Sequence, residues 1–382
     1  MLAAFVLVAG LFVAEAGAQP VIKIDPNVIT KIVTQDYLAN YADKLEAKLK
    51  GKSVGYQFTV VSNGVLAVSR AGGDARRAPD ANPRKMTADD KFNIASVSKT
   101  ITASAVMKLL TQNGVSVDTP VYSYLPPTWT PGTNIKTITF RELLTHRSGI
   151  RCGKEVTFAN LKECIAGGIV LDNKQKDCNG VKNGNACYNN NNFALFRMII
   201  PSLAGFKETL LSNDAQKSKD YASFYLSYVQ RNVFMPVGLR GIDLKPIAVD
   251  PGLAYQFPSP VVAGDSFGDM TETSASRGWN MNSKQLATFI NGLLYTEQIV
   301  PKSVSEKMKN EQLGLWQVMV GGTVADYEHG GYYPGSMNNG EMNTLIAAFP
   351  NGVSVAIIVN SQFGPGQSIA DAARAAMNEM PK

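Results

Sequence analysis

The chain has 382 residues, enough for two or three domain-sized units, and its 45% hydrophobic and 18% charged content is that of a folded protein with a real core. The net charge of +6 is spread without blocks of like charge, which argues against a nucleic-acid partner. No segment beyond the N-terminus is long and apolar enough to span a bilayer, so stable membrane insertion is not expected.

Residues 1–18 read as a signal peptide. Leu2 to Val13 form its apolar stretch, and Ala16-Gly17-Ala18 before Gln19 is a small-x-small cleavage site. The expected location is therefore secreted or periplasmic. Asp36 to Leu49 then has the helical spacing Tyr37, Leu38, Tyr41, Leu45, Leu49. Two alternating runs, Gly55 to Ser62 and Val65 to Ala71, are joined by Asn63-Gly64, a hairpin signal. Residues 72–90 are polar and rich in Gly, Pro and Asp, and read as a loop. Helix-rich sequence follows from about 95 to 310. At the far end Leu315 to Val324, Met342 to Phe349 and Val353 to Val359 read as strands, and Ser368 to Met377 as a closing helix. The expected fold is α/β (α+β): an antiparallel sheet flanked by terminal helices, built from both ends of the chain, with a mostly helical insertion. The expected division of a single catalytic unit, 19–382, is a sheet part, 54–90 with 311–382, and a helical part, 91–310.

Four cysteines, Cys152, Cys164, Cys178 and Cys187, share one window. An even count in an exported chain points to two disulfides. Three pairings are open, and nearest-neighbour pairing, Cys152–Cys164 and Cys178–Cys187, is the expectation. A zinc site is the rival, but no C-x2-C pair and no histidine lie among them.

The chemistry starts at Ser96-Val97-Ser98-Lys99, the only S-x-x-K. Ser96 falls at the first turn of a predicted apolar helix, and i,i+3 spacing puts Lys99 on its face. A desolvated lysine loses proton affinity and can serve as a base. Tyr188-Asn189-Asn190 is the only Y-x-N, and His329-Gly330-Gly331 the only H-x-G. Each alone has an ordinary reading as a turn, yet three unique motifs in this order are hard to reach by chance.

With these motifs, and with Leu143-Leu144-Thr145-His146-Arg147-Ser148-Gly149, the chain resembles the serine β-lactamase and penicillin-binding-protein-like hydrolases. Within them it is most similar to the class C β-lactamase/family VIII esterase group, over about residues 54–375. The resemblance implies a Ser96 acyl-enzyme, proton transfer shared by Lys99 and Tyr188, and substrate orientation by Asn190. His329 stands where many relatives have lysine. Gly331 and Tyr332 belong to the same box, and the amides of Ser96 and Tyr332 would form the oxyanion hole.

A neutral His329 attracts a substrate carboxylate less than a lysine would, which favours esters over β-lactams and D-Ala peptides. Arg277-Gly278-Trp279 sits where relatives often have small residues, and the 150–187 segment would flank the mouth of the site. The expected partner is a small-molecule ester, amide or peptide, with no metal and no organic cofactor. The oligomeric state is open. A penicilloyl-binding or scaffold protein without turnover is the alternative from another class. Gly264-Asp265-Ser266-Phe267-Gly268 matches the G-x-S-x-G elbow of α/β-hydrolases, but lacks a convincing strand before it and helix after it. His146 is expected to be structural.

Overall fold

The computed structural model describes residues 34–153, 155–174, 187–258, 262–334 and 340–381. The proposed signal peptide and Cys178 lie outside the described residues. Helix α1, Gln35–Leu49, is capped by Thr34, whose hydroxyl accepts from Tyr37 N. Its apolar stripe Leu38, Tyr41, Leu45, Leu49 is buried as the periodicity predicts. β1 (Gly55–Ser62) and β2 (Val65–Arg76) form the hairpin. Asn63 and Gly64 both take positive φ, 45° and 96°, as its two-residue turn requires.

β2 runs five residues past the predicted end at Ala71, and β3 (Arg84–Lys85) pairs with it inside the stretch read as loop. Gly72 and Gly73 look like strand breakers but serve close packing. A Cβ on Gly73, at φ +76°, would run into Val54 O.

β4 (Phe92–Asn93) precedes a 3₁₀ turn at Ala95–Val97 and helix α2, Ser98–Gln112. Then come α3 (Phe140–Leu144), α4 (Phe158–Gly167), α5 (Asn190–Ala194), α6 (Phe196–Leu203) and α7 (Asp214–Val229). β5 (Asn280–Met281) pairs with β4, followed by α8 (Ser283–Leu294) and α9 (Lys302–Asn310). The chain ends in β6 (Trp316–Val320), β7 (Thr323–Pro334), β8 (Glu341–Ala348), β9 (Val353–Val359) and α10 (Ile369–Asn378).

The run read as one strand, Leu315 to Val324, is thus interrupted. Gly321 and Gly322, both at positive φ, turn the chain between β6 and β7. His329-Gly330-Gly331 consequently lies inside a long strand rather than in a loop before the last strands.

The sheet order is β3-β2-β1-β9-β8-β7-β6, with antiparallel neighbours. The β1–β9 pairing, Tyr56↔Val359 through Ser62↔Val353, joins the two ends of the chain. β1 and β9 are buried on both faces. One face carries α1 and α10 over Phe58, Val60, Leu345 and Ile357. The other carries the helical core around α2. α8 belongs by sequence to the helical stretch yet bonds to β1, with Ser283 N donating to Gln57 Oε1 (2.8 Å).

Candidate active site

Ser96 reaches its place through a strained turn. Ala95 sits at φ +47°, a left-handed conformation that costs a non-glycine residue about 1–3 kcal/mol. Asn93 Oδ1 holds it there by accepting from Ala95 N (2.8 Å). Ala95 and Val97 are buried, which leaves Ser96 as the residue of the turn that opens to the surface. The next helix, α2, is buried on nearly all sides, because it runs through the core rather than along the surface. Lys99 on its first turn is therefore fully buried.

Lys99 Nζ lies 2.9 Å from Ser96 Oγ, 2.8 Å from Asn190 Oδ1 and 2.7 Å from Ser276 O. Burial first, and then the positive charge of Arg277, pushes the lysine pKa well below its ordinary value. Tyr188 Oη donates to Ser96 Oγ at 2.7 Å. The ring of Tyr188 is 42% exposed, but its hydroxyl end is packed into the site, and that burial raises its pKa to about 12. Asn190 opens α5, whose N-cap Asn189 accepts from Asn191 N. Sequence motifs 91 residues apart, at Lys99 and Asn190, thus meet at one atom.

β7 closes the site from the sheet side. A Cβ on Gly331 would lie 2.6 Å from Ile94 O and 3.1 Å from Ser96 N, so only glycine allows the strand this close to the Ser96 turn. Tyr332, the next residue, is half-exposed. His329 is buried, and its Nδ1 donates to Gly330 O (2.8 Å). Burial, with a smaller effect of Lys99, pushes its pKa down to about 3. A cleft of about 730 Å³ is lined by Ser96, Tyr188, Asn190, Trp316, His329 and Tyr332, among others.

Sequence reading missed the part of Trp316 and understated that of His146. His146, at φ +56°, accepts from Asn189 N through Nδ1 (3.2 Å). Its ring lies 4.4 Å from that of Tyr188 and 6.0 Å from that of Trp316, and Trp316 lies 6.3 Å from His329. Expected to be structural, it bonds and packs against the loop that carries Tyr188. The signal for this was only the proximity of His146 to Ser148-Gly149, which says nothing about a contact across the fold.

Cys152 and Cys164 form a disulfide, as nearest-neighbour pairing predicts. The bridge bears on the site, because Cys152 O accepts from Asn189 Nδ2 (3.2 Å) and Asn191 Nδ2 (2.8 Å). Cys187 is also disulfide-bonded, while its expected partner Cys178 lies outside the described residues.

The G-x-S-x-G stretch is not an elbow. Asp265 makes an isolated bridge to Ala254 and accepts from Gly340 N, Ser266 is exposed, and a 3₁₀ turn at Thr271–Thr273 follows rather than a helix. Asp326 pairs with Arg374. Among the described residues no group of three or more His, Cys, Asp or Glu is arranged to hold a metal ion, and no helix is long and apolar enough to cross a membrane.

The sequence profile of the beta-lactamase family matches residues 38–378. The chain belongs to the beta-lactamase family. Two curated relatives align with parts of it. Putative penicillin-binding protein PbpX of Bacillus subtilis (strain 168) is 26% identical over 194 residues, which cover 49% of this chain and 41% of the relative. Esterase EstB of Burkholderia gladioli is 34% identical over 108 residues, 28% of this chain and 26% of the relative. The matches therefore span less than half the length of either relative. Among solved structures, D-amino acid amidase from Ochrobactrum anthropi SV3 superposes with a TM-score of 0.66 at 18% identity, covering 90% of this chain and 98% of the amidase. That likeness establishes a shared beta-lactamase-type fold, the mixed α/β architecture with a large antiparallel sheet.

Proposed function

We propose that this chain is an exported serine hydrolase that cleaves a small ester through an acyl-enzyme on Ser96. The three contacts of Lys99 Nζ carry the reading. A neutral amine has two N–H donors and one lone pair. Asn190 Oδ1 and Ser276 O are acceptors and take the two N–H groups. The lone pair then faces Ser96 Oγ at 2.9 Å, within reach of its proton. Burial of Lys99 favours this neutral form.

In the first half-reaction Ser96 Oγ attacks the carbonyl carbon as its proton passes to Lys99. The amides of Ser96 and Tyr332 receive the oxyanion, brought within range of one another by the close approach of Gly331. The bond to the leaving oxygen breaks, and Tyr188, protonated because its pKa is near 12, donates to that oxygen and is reprotonated from Lys99. Water then attacks the Ser96 ester by the reverse proton route. His329, neutral with a pKa near 3, offers no cation to a substrate carboxylate at its end of the cleft. This favours esters over β-lactams and D-Ala peptides, and the likeness to an esterase supports the same choice. The Cys152–Cys164 disulfide supports export, since such bonds persist in oxidising compartments.

Turnover of p-nitrophenyl butyrate beside nitrocefin and a D-Ala-D-Ala peptide tests the reading. Ester hydrolysis should exceed the other two, vanish in Ser96→Ala and persist in Ser266→Ala. The opposite pattern for the two serines refutes it.

A further inference from the structure

The segment before β5 is pinned to the Ser96 site at three points. Ala275 O accepts from Thr102 Oγ1, Ser276 O from Lys99 Nζ (both 2.7 Å), and Trp279 O from Ile94 N (2.9 Å). Arg277 lies inside this clamp. Its guanidinium sits 5.4 Å from the ring centroid of Tyr333, which packs edge-on against Phe267 at 4.5 Å. Its Nε is buried without a hydrogen-bond acceptor, and no carboxylate among the described residues pairs with it. It is also close enough to lower the proton affinity of both Lys99 and the buried Arg197. Arg277 is half-buried, and the side chains whose proton affinity it lowers are themselves cations.

The register of β7 says where an anion would belong. Successive side chains alternate, so His329, Gly331 and Tyr333 share one face. Gly331 backs onto Ser96 N, which puts the nucleophile midway between the other two. At about 3.3 Å per residue, His329 and Tyr333 lie about 13 Å apart, on opposite sides of the attacked carbon. The rings of Tyr188, His146, Trp316 and His329 form a contiguous row. Tyr188, the donor to the leaving group, therefore belongs to the His329 end. The acyl part extends the other way, towards Tyr333 and Arg277.

We propose that Arg277 binds a carboxylate carried by the acyl part of the substrate, so that the preferred substrates are monoesters of dicarboxylic acids. This rests on the Ser96 acyl-enzyme reading above. A planar guanidinium suits a carboxylate because it can donate two parallel N–H bonds.

The test uses two esters with one leaving group, mono-p-nitrophenyl glutarate and p-nitrophenyl valerate. They differ at the far end of a five-carbon acyl chain. The unmutated protein should show the higher kcat/KM on the glutarate ester. In Arg277→Gln the glutarate-to-valerate ratio should fall about 10- to 100-fold, the worth of a charge-assisted hydrogen bond. Arg277→Lys should keep part of the ratio. In the unmutated protein, free glutarate should compete with the valerate ester where free valerate at equal concentration does not, a readout independent of how the variants fold. A valerate preference, an unchanged ratio in Arg277→Gln or equal inhibition by the two acids overturns the Arg277 assignment and leaves Ser96 chemistry standing. No hydrolysis of either ester overturns both.

Discussion

Gly331→Ala probes the contact on which the site geometry depends. The new methyl would meet Thr344 Oγ1 and lie 2.6 Å from Ile94 O and 3.1 Å from Ser96 N. Even close C–H···O contacts keep carbon and oxygen about 3.3 Å apart, so the shortfall against Ile94 O is about 0.7 Å. Thr344 could rotate away only by giving up its buried bond to Ile94 O (2.7 Å). Ile94 O is backbone, fixed by the Ala95 turn, so β7 itself must retreat by most of an ångström. Overpacking of this kind costs about 1–3 kcal/mol of stability. Displacing the Tyr332 amide from Ser96 by nearly 1 Å should cost about 10²-fold in kcat, the scale known for misplaced catalytic groups. The assay is ester turnover together with urea unfolding, both beside Gly330→Ala, whose methyl would have no neighbour closer than 4.0 Å. Gly330→Ala should unfold like the parent protein. A Gly331→Ala protein with parental turnover would refute the argument that this approach builds the oxyanion site.

Two further outcomes follow from buried charge. Burial depresses the Lys99 pKa, so between that depressed value and the ordinary lysine value the unfolded chain binds a proton that the folded chain does not. Stability therefore rises with pH across that window. Lys99→Met should be inactive, more stable than the parent near neutral pH, and lose its advantage as pH approaches 10; a pH-independent difference in urea melts would contradict the neutral lysine. Arg374 bonds Glu328 (2.7 Å) and the fully buried Asp326 (3.3 Å). Arg374→Met should cost about 3–5 kcal/mol at pH 8, as breaking a buried pair does. The loss should shrink at pH 5, because burial and Asp326 raise the Glu328 pKa to about 7 and protonation relieves the pair. Equal losses at both pH values would contradict this.

What was legible in the sequence was local. Ser96 and Lys99 share a helical turn, and Tyr188 and Asn190 a single loop, so their motifs survive as short strings. The strands at both termini were readable from alternation, and their union across β1 and β9 followed from the need to bury both. The failures came at glycines. Gly72-Gly73 and Gly321-Gly322 carry the same signal in composition, yet the first pair lies within a strand, pressed against Tyr56 and Val54, and the second ends one. The parts played by His146 and Trp316 were hidden for another reason. Their contacts with Tyr188 and His329 span many residues and are set by sheet register, which leaves no local pattern.

The central claim is that Ser96 becomes acylated. Rapid acid quench of the protein during turnover of p-nitrophenyl butyrate, followed by intact-mass measurement and peptide mapping, addresses it directly. A single butyryl adduct on the peptide carrying Ser96, absent in Ser96→Ala and accumulating in Tyr188→Phe, is the predicted result. Turnover with no adduct on Ser96, or an adduct on Ser266, would contradict it.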